Sequence, residues 1–507
     1  MKSVPLTAQQ KIGFFIKAIR QEKGMTQGDF AKRLATSQSA VARMEAGKQN
    51  FSTQELLKLS KILNRNLVTL SSSMDFEVRG GKKLSGSIAT NFSKNGSVSL
   101  IAASLLNRGK TILHGISRIE EVNRLIEILQ SLGVKVTWVG KNSLEILPPK
   151  RFSFSTLDTA AAARVRSSLM FIGPLIHREP SFSLPHAGGC KMGNRTIAAH
   201  RYGLESLGVK IVTKDDHYAV RAGKLRPADI VMYEAGDTAA NNLIMAAALI
   251  PGKTIIRFAP PNYQVQELCF FLETMGVKIE GIGSTTLVVH GVDEIDQTAE
   301  YHNSEDPIES MMFLAAAITT GSTLEITRCP IDFLSVELLK LEKMGLKYTQ
   351  SKRYTSYNGR TQLVDLKVFP SKLRALGDKI HALPYPGINT DNLPFFVPIA
   401  TQTVGTTLIH DWMWENRAIY FTEFARLGAN ITLADPHRVF IQGKTPLKGA
   451  QIVCPPALRP AMIILIGMLA AEGTSVLRNV YSITRGYEEI ATRLNSLGAD
   501  IRIIDSM

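Results

Sequence analysis

The 507-residue sequence predicts an α/β fold preceded by a small all-α domain. Three observations lead to this prediction. Short helical patterns follow one another through the first seventy residues with no strand signal. From about Met74 strand and helix patterns alternate, and one glycine-centred phrase recurs six times in that part. Domains typically hold roughly 100–200 residues, so the length suggests two to four of them.

The composition is that of a soluble globular protein, with 45% hydrophobic and 20% charged residues. The first residues lack the apolar stretch of a secretory signal, and the longest apolar run, Pro460 to Ala471, is about half the length that crosses a bilayer. The four cysteines lie far apart without a CxxC pair, so neither a disulfide framework nor a zinc site is expected from them. We therefore expect a cytoplasmic protein with no membrane contact.

The net charge of +15 is unevenly distributed. Residues 1–73 contain twelve Lys and Arg against four Asp and Glu, a net charge of +8. A small basic domain favours a polyanionic partner, and an anionic substrate would account for part of the remaining positive charge.

The N-terminal domain, residues 1–73, reads as four short helices. Apolar residues at helical spacing end at Gly24, and a second helix begins at Thr26. Ala35-Thr36 makes a turn, a third helix starts near Ser37, and a fourth runs from Thr53 to Leu63.

The segment MTQGDFAKRLATSQSAVARMEAGK resembles the phage-repressor type of helix-turn-helix. In that family the third helix enters the major groove of double-stranded DNA. The resemblance implies that Gln38 and Ser39 face bases, while Gln27 and Arg43 make phosphate or supporting contacts. It also implies a homodimer, because such modules read two half-sites. A protein-interaction bundle, or a module that no longer binds DNA, is the alternative.

The recurring phrase of the larger part is a helix that ends in Leu or Met, then glycine, then a strand. Its six glycines are Gly133, Gly208, Gly276, Gly345, Gly428 and Gly498. A second phrase, glycine followed by a short strand, precedes every copy except the second. A fixed period indicates a repeat architecture, and we predict that each glycine ends a helix and turns the chain into the next strand.

Six βαβαββ-like units, three to a domain, resemble the fold of the enolpyruvyl transferases, a two-lobed inside-out α/β barrel. The resemblance implies one lobe at residues 95–304 and another formed by 74–94 plus 305–507. The chain would then cross the cleft between the lobes twice.

The segment SLPHAGGCKMGNR resembles the GGC loop of the UDP-N-acetylglucosamine enolpyruvyl transferases, whose cysteine takes part in catalysis. Cys190 lies between glycine and the cations Lys191 and Arg195, a setting that favours a reactive thiol. The alternative is an ordinary small apolar residue in a glycine-rich turn.

Further matches to the family extend over the whole body. The resemblance gives Lys94, Asn95, Arg195, Arg417, Arg459 and Arg485 as contacts of phosphoenolpyruvate, and Arg166, Asp391 and Met413 as contacts of the nucleotide sugar. Several cations suit a ligand that carries both a phosphate and a carboxylate, and arginine binds each group through two hydrogen bonds.

The family reaction adds a sugar hydroxyl to C2 of phosphoenolpyruvate, delivers a proton to C3, and then expels phosphate. By this resemblance Asp391 is the general base or positions the hydroxyl, and Cys190 is the acid or assists product release. The alternative role of Asp391 is that of a helix N-cap. No metal or organic cofactor is implied.

Several positions depart from the family pattern on the nucleotide-sugar side. Ala198 replaces an aspartate that contacts uridine, and Glu234 and Asp237 bring negative charge to the region of the diphosphate, which should repel it. Three interpretations stay open. The chain is a UDP-N-acetylglucosamine enolpyruvyl transferase with a DNA-binding module, a transferase for another hydroxyl acceptor, or a transcriptional regulator whose body senses a ligand.

Overall fold

The computed structural model describes residues 13, 16–17, 20–21, 24–49, 51, 55, 58–59, 62, 74–188 and 196–505. The chain forms two compact units, 1–72 and 73–507.

In the N-terminal unit two described helices, Gln27–Leu34 and Gln38–Glu45, form the helix-turn-helix pair. Thr26 caps the first helix in a capping box with Asp29, and Ser37 caps the second through the Ala40 N–H. The predicted helix starts are thereby confirmed. Most of the predicted first helix and of the fourth, Thr53 to Leu63, lies outside the described residues.

The core of this small unit contains Ile16, Phe30, Val41 and Leu59, all at most 1% exposed. Glu45 is buried beside them and accepts hydrogen bonds from the Arg20 guanidinium and from Gln27 Nε2. A buried carboxylate needs such donors, because an unpaired buried charge is costly.

The body, unit 73–507, alternates helices and strands as predicted. Its α-helices of six residues or more are Lys94–Ala103, Glu120–Ser131, Thr159–Arg164, Ala198–Ser206, Asp237–Ala248, Tyr263–Thr274, Pro307–Thr320, Ser335–Met344, Phe396–Thr401, Leu458–Ala470 and Ile490–Ser496. The short α-helices are Ile172–Leu175 and Tyr481–Thr484. The 3₁₀ segments are Ser104–Leu106, Phe154–Thr156, Arg166–Phe171, Ile331–Leu334, Leu393–Phe395 and Ala418–Leu427.

The described strands of the body form six sheets, one for each predicted repeat. In hydrogen-bonded order, the three sheets of the first half are Ala299–His302, Thr111–His114, Ser143–Leu147, Lys135–Trp138; Ser181–Pro185, His217–Ala222, Val209–Thr213; and Asp229–Val231, Gly252–Arg257, Thr286–Gly291, Lys278–Glu280. The three of the second half are Ser87–Ala89, Leu324–Cys329, Gln362–Phe369, Lys347–Gln350 (with Tyr354–Thr355 also on Gln362–Phe369); Ile380–His381, Gly405–His410, Arg438–Gly443, Asn430–Asp435; and Gln451–Val453, Thr474–Arg478, Met74–Arg79, Ile501–Asp505.

Five of the sheets share one topology, in which the first strand is parallel to the second and the remaining pairs are antiparallel. The second sheet has three strands among the described residues. Phe154, in the 3₁₀ segment Phe154–Thr156, stacks on Phe182 of the strand Ser181–Pro185, with ring centroids 5.0 Å apart. This sheet belongs to the copy whose sequence lacks the second repeat phrase.

The helices lie inside and the sheets outside. Pro307–Thr320 and Leu458–Ala470 are buried on nearly every side, as uniformly apolar helices require, whereas Arg438–Gly443 alternates exposed and buried residues. The buried apolar residues form two cores. The first lobe has its core within 98–301, and the second has its core within 76–84 and 308–501, with Tyr263 added. The α/β prediction for the body is confirmed.

The chain passes between the two cores in two segments that run side by side. Ser93 N–H donates to Ser304 O at 2.7 Å, and Asp306 N–H donates to Asn91 O at 2.8 Å. Each segment follows a strand of the lobe that it leaves: Ser87–Ala89 joins the sheet of Leu324–Cys329, and Ala299–His302 joins that of Thr111–His114. The lobe boundaries predicted at 94/95 and 304/305 stay predictions.

All six repeat glycines have a positive φ, between 86° and 107°. Each follows the end of a helix and leads into the next strand or extended segment, so the predicted role as a helix terminator is confirmed. Of the helices that the structure describes, none combines the length and apolar character needed to span a bilayer.

Gly276→Ala is expected to lower the free energy of unfolding of the body by about 1–2 kcal/mol, the cost of a left-handed backbone for a residue with a Cβ. A Cβ at Gly276 would meet no atom within 4 Å, so the effect is one of backbone conformation. Urea unfolding measured by tryptophan fluorescence tests this, because all three tryptophans lie in the body. Gly377 is equally open but has no positive φ, and Gly377→Ala is the matched control. Equal destabilisation of both variants would contradict the interpretation.

Candidate active site

Lys94 lies at the junction of the two lobes, as the first residue of a helix capped by Ser93. Its Nζ forms an ion pair with Glu121 Oε2 at 2.6 Å, and its backbone N–H donates to Asp306 Oδ2. The next residue, Asn95, donates from Nδ2 to the buried Tyr263 hydroxyl at 2.8 Å. Contacts with Glu121, Asp306 and Tyr263 therefore hold the predicted Lys-Asn pair in place.

Asp391 lies on a turn that a buried carboxylate holds in place. Glu337 Oε1 accepts hydrogen bonds from the Asn389 N–H at 3.0 Å and from Asn392 Nδ2 at 2.8 Å. Asp391 Oδ2 then accepts from Arg459 Nη2 at 3.0 Å. The turn thus aims the carboxylate at Arg459.

Arg459, the second residue of its helix, is 6% exposed. Besides Asp391 it donates from Nη1 to the Tyr487 hydroxyl at 2.7 Å, while its Nε finds no partner among the described residues. A buried guanidinium with an unused N–H can accept an anionic ligand.

Arg417 is fully buried behind the same turn. Its guanidinium pairs with Asp411 and donates to the carbonyl oxygen of Thr390 at 2.8 Å. Trp414 Nε1 donates to Thr390 Oγ1 at 2.7 Å. Arg417 therefore supports the residue that precedes Asp391.

A narrow cavity lies beside these groups, lined by Asn91, Phe92, Lys94, Ser117, Ile119, Asp306, Glu309, Arg459, Gly486, Tyr487 and Glu488. Arg485 adjoins this lining. Burial tends to raise the pKa of Glu121, but the positive charges of Lys94 and Arg485 outweigh burial and lower it. The structure thus brings together Lys94, Asn95, Asp391, Arg459 and Arg485.

The pKa values of the carboxyl groups in this region shift in different directions. Burial disfavours ionised Asp391, but Arg459 and Arg417 outweigh this effect and lower its pKa, so that it is a carboxylate at neutral pH. Burial raises the pKa of Asp237 to about 6, to which the nearby Asp391 adds, while hydrogen bonds from Asn262 and Gln264 act against the shift. Burial also raises the pKa of Asp306, with Arg459 opposing.

The remaining predicted residues lie elsewhere or outside the described part. Arg166, in the first lobe, donates from Nη2 to Thr196 O at 2.7 Å and interacts electrostatically with Glu234. Met413 is partly buried against the core of the second lobe. Cys190 and Arg195 lie outside the described residues. Ala198 begins a helix, and Glu234 is exposed.

Sequence reasoning missed the partners Glu121, Asp306, Tyr263, Tyr487 and Asp411. Two of them carried a signal. Asp306-Pro307 has the pattern of an N-cap followed by proline at the first helical position, and Tyr487 belongs to the same TRGYE segment as Arg485.

In the N-terminal unit Gln38, Ser39 and Arg43 are exposed on the second described helix, opposite the buried Ala40, Val41 and Met44. Gln27 differs, because it is partly buried and its amide is bound to Glu45. Two exposed polar side chains at the start of this helix and one arginine a turn later therefore form one face.

The EPSP synthase (3-phosphoshikimate 1-carboxyvinyltransferase) family model matches residues 78–494. The chain therefore belongs to the carboxyvinyl (enolpyruvyl) transferase family. A helix-turn-helix family model matches residues 16–70, so the chain also carries a domain of that kind.

Curated relatives of this chain share one more specific name within the family. The UDP-N-acetylglucosamine 1-carboxyvinyltransferase of Bradyrhizobium diazoefficiens is 34% identical over 436 residues, covering 85% of this chain and 98% of its own length. That of Treponema denticola is 35% identical over 432 residues, covering 85% and 99%.

Solved structures share the fold at lower identity. The enolpyruvyl transferase NikO from Streptomyces tendae has a TM-score of 0.72 at 22% identity, covering 86% of this chain and 99% of its own. EPSP synthase from Acinetobacter baumannii has a TM-score of 0.67 at 17% identity, covering 85% and 100%.

Asp237→Asn is expected to stabilise the protein at pH 8 but not at pH 4. The folded-state pKa of about 6 lies above the ordinary 3.8. Ionisation of Asp237 therefore weakens folding as the pH rises from about 4 to 6, and the full penalty, up to about 3 kcal/mol, is present above that window.

Urea unfolding at the two pH values measures the difference. Asp391→Asn is the control of opposite sign, since loss of the ionised partner of Arg459 should destabilise the protein at pH 8. An equal effect of Asp237→Asn at both pH values would rule out its ionisation as the cause.

Proposed function

We propose that the body transfers the enolpyruvyl group of phosphoenolpyruvate to the 3-hydroxyl of UDP-N-acetylglucosamine, the first committed step of peptidoglycan precursor synthesis. One observation carries the proposal. Lys94, Arg459 and Arg485 converge with an ionised Asp391 at one cavity between the lobes, in a chain 34–35% identical to enzymes of that name.

The cationic groups suit phosphoenolpyruvate. Its phosphate would bind Lys94, Asn95, Arg485 and Arg195, and its carboxylate would bind Arg459, whose buried Nε is directed to no protein group in the described part. Arg417 is held by Asp411 and Thr390, so it acts through the position of the Asp391 turn as well as through its charge. Closely spaced cations in a cleft also attract a multiply charged anion.

The acid and base roles follow from charge and position. Asp391 is ionised at neutral pH and would take the proton of the acceptor hydroxyl while the hydroxyl oxygen bonds to C2 of phosphoenolpyruvate. Cys190 would protonate C3 as an acid or assist product release. The C3 proton is then lost as phosphate leaves, which gives the enol ether.

The acceptor side favours a second candidate substrate class, another hydroxyl compound without a diphosphate. The observation behind it is that Glu234, exposed and near Arg166, partly offsets the positive charge that a diphosphate would need. Retention of Asp391 and the cationic groups argues against a body that only senses a ligand.

Phosphate release from phosphoenolpyruvate in the presence of UDP-N-acetylglucosamine tests the reaction. We expect release by the full-length protein, and a loss of about 100-fold or more in kcat for Asp391→Ala and Cys190→Ala, in the range of general acid–base contributions. Lys352→Ala, in an exposed loop of the second lobe, is the control. Binding of both ligands without release would refute the enzymatic role and leave a sensor.

The variant Glu234→Lys distinguishes UDP-N-acetylglucosamine from a hydroxyl acceptor without a diphosphate. With UDP-N-acetylglucosamine as acceptor, removal of the negative charge should lower KM and leave kcat nearly unchanged. If wild type and Glu234→Lys both bind phosphoenolpyruvate but neither bind this sugar nor release phosphate with it, the acceptor is a different hydroxyl compound.

We also propose that the N-terminal unit binds double-stranded DNA as part of a homodimer. The observation that favours it is the exposed face of Gln38, Ser39 and Arg43 on a helix-turn-helix domain within a segment of net charge +8. An amide side chain such as that of Gln38 can form two hydrogen bonds with an adenine base, whereas the Arg43 guanidinium can bind a backbone phosphate. Gln27, bound to Glu45, then supports the helix.

Gln38→Ala is expected to reduce the preference for a selected DNA site by about 1–3 kcal/mol while sparing binding to random DNA. Arg43→Ala should weaken binding to both DNAs and lower the salt slope by about 1. Fluorescence anisotropy with full-length protein and a site selected from a random pool measures both. Equal losses for Gln38→Ala on the two DNAs would contradict base recognition, and absence of binding to either DNA would refute the proposal.

A further inference from the structure

Three metal-ligating side chains that the candidate active site does not use lie on the outer face of the first sheet. The strand Ala299–His302 runs parallel to Thr111–His114, and His302 is directly opposite His114. Glu300 is two residues before His302. Because side chains alternate between the faces of a strand, all three side chains project from the same face.

The donor atoms of this trio are close together. One ligand atom from each of His114, Glu300 and His302 lies within 4.8 Å of the others. His114 Nε2 is 2.7 Å from Glu300 Oε1, and the two imidazole rings stack with centroids 4.3 Å apart. The side chains of His114 and Glu300 are 24% and 63% exposed, so an ion can reach them from solvent.

A hydrogen bond to the other nitrogen of His114 favours a metal-ligating orientation. His114 Nδ1 is 2.8 Å from Ser143 Oγ on the neighbouring strand. When Nδ1–H donates to that hydroxyl, the lone pair of Nε2 faces the Glu300 carboxylate. At 2.7 Å the Nε2 and Oε1 atoms share a proton in the metal-free protein, and a metal ion would replace that proton. An outer hydrogen bond such as the one to Ser143 is what orients metal-binding histidines.

We propose that His114, Glu300 and His302 bind a divalent transition-metal ion of the zinc type. Two imidazoles and one carboxylate form a ligand set that zinc uses with water as the fourth ligand. Magnesium and calcium prefer oxygen ligands, so the two nitrogens select against them. The bound ion would carry +2 into a site whose ligands together carry −1.

The location gives the site a mechanical setting. His302 directly precedes the crossover segment, and its ring centroid is 5.8 Å from that of Tyr357, which belongs to the second lobe. The Arg328 guanidinium lies over the Tyr357 ring, 4.3 Å from its centroid, and pairs with the buried Glu305 of the crossover. A metal here would join two strands of the first lobe next to the point where the chain leaves it.

Zinc titration of the chelator-treated full-length protein by calorimetry tests the proposal. We expect wild type to bind one equivalent of Zn²⁺ and His302→Ala to bind none. Glu300→Gln should weaken Zn²⁺ affinity by about 100-fold or more, because loss of a ligand costs at least as much as loss of a ligand's hydrogen-bond partner. Zn²⁺ should also raise the melting temperature of wild type but not of His302→Ala.

His290→Ala is the matched control. His290 pairs with Glu280 at 3.1 Å on an outer strand, but Lys278 takes the place of a second histidine there. Co²⁺ spectra separate this site from any thiolate site, because thiolate ligation adds a near-ultraviolet charge-transfer band. Zinc affinity that is unchanged in His302→Ala and in Glu300→Gln, or absent in wild type, would overturn the proposal. Glu300→Gln keeps the side-chain shape and serves if His302→Ala does not fold.

Discussion

The pair of antiparallel crossover segments between the lobes is the constraint on which the rest of the body depends. Two backbone hydrogen bonds join Asn91–Ser93 to Ser304–Asp306, and each segment gives a strand to a sheet of the lobe that it leaves or enters. Each crossover is thereby tied to a sheet at the point where the chain leaves a lobe. The helices that begin immediately afterwards, at Lys94 and Pro307, start beside the cavity, and Lys94, Asp306 and Glu309 from their N-terminal ends line it.

Buried charge is concentrated at the same junction and is neutralised in pairs. Glu305 pairs with Arg328, Glu309 with Arg493, and Lys94 with Glu121. Because each pair joins segments distant in sequence, these contacts fix the geometry of the cleft, and removal of one partner would leave a charge in a poorly solvated place. Arg459 differs because its Nε has no partner in the described part of the chain, which leaves this donor available to a ligand.

The sequence predicted what depends on local pattern. The six glycines identified the repeats because a left-handed backbone after a helix strongly favours glycine, and Thr26 and Ser37 identified helix starts because their hydroxyls cap N–H groups. It did not reveal Glu121 or Asp411, since each is an ordinary acidic residue until the fold brings an arginine or lysine to it. The trio of His114, Glu300 and His302 was missed for the same reason: its members meet only through parallel pairing of strands far apart in the chain.

The strand Met74–Arg79 lies inside its sheet, between Thr474–Arg478 and Ile501–Asp505, and it follows directly on the N-terminal unit. The helix-turn-helix domain is therefore not appended to a loose end of the enzyme body. It enters through a strand that two neighbours from the far end of the chain must enclose, so the body closes its last sheet only when both termini of its sequence have been synthesised. A junction that removes or exchanges the helix-turn-helix domain leaves this sheet complete only if it lies upstream of Met74.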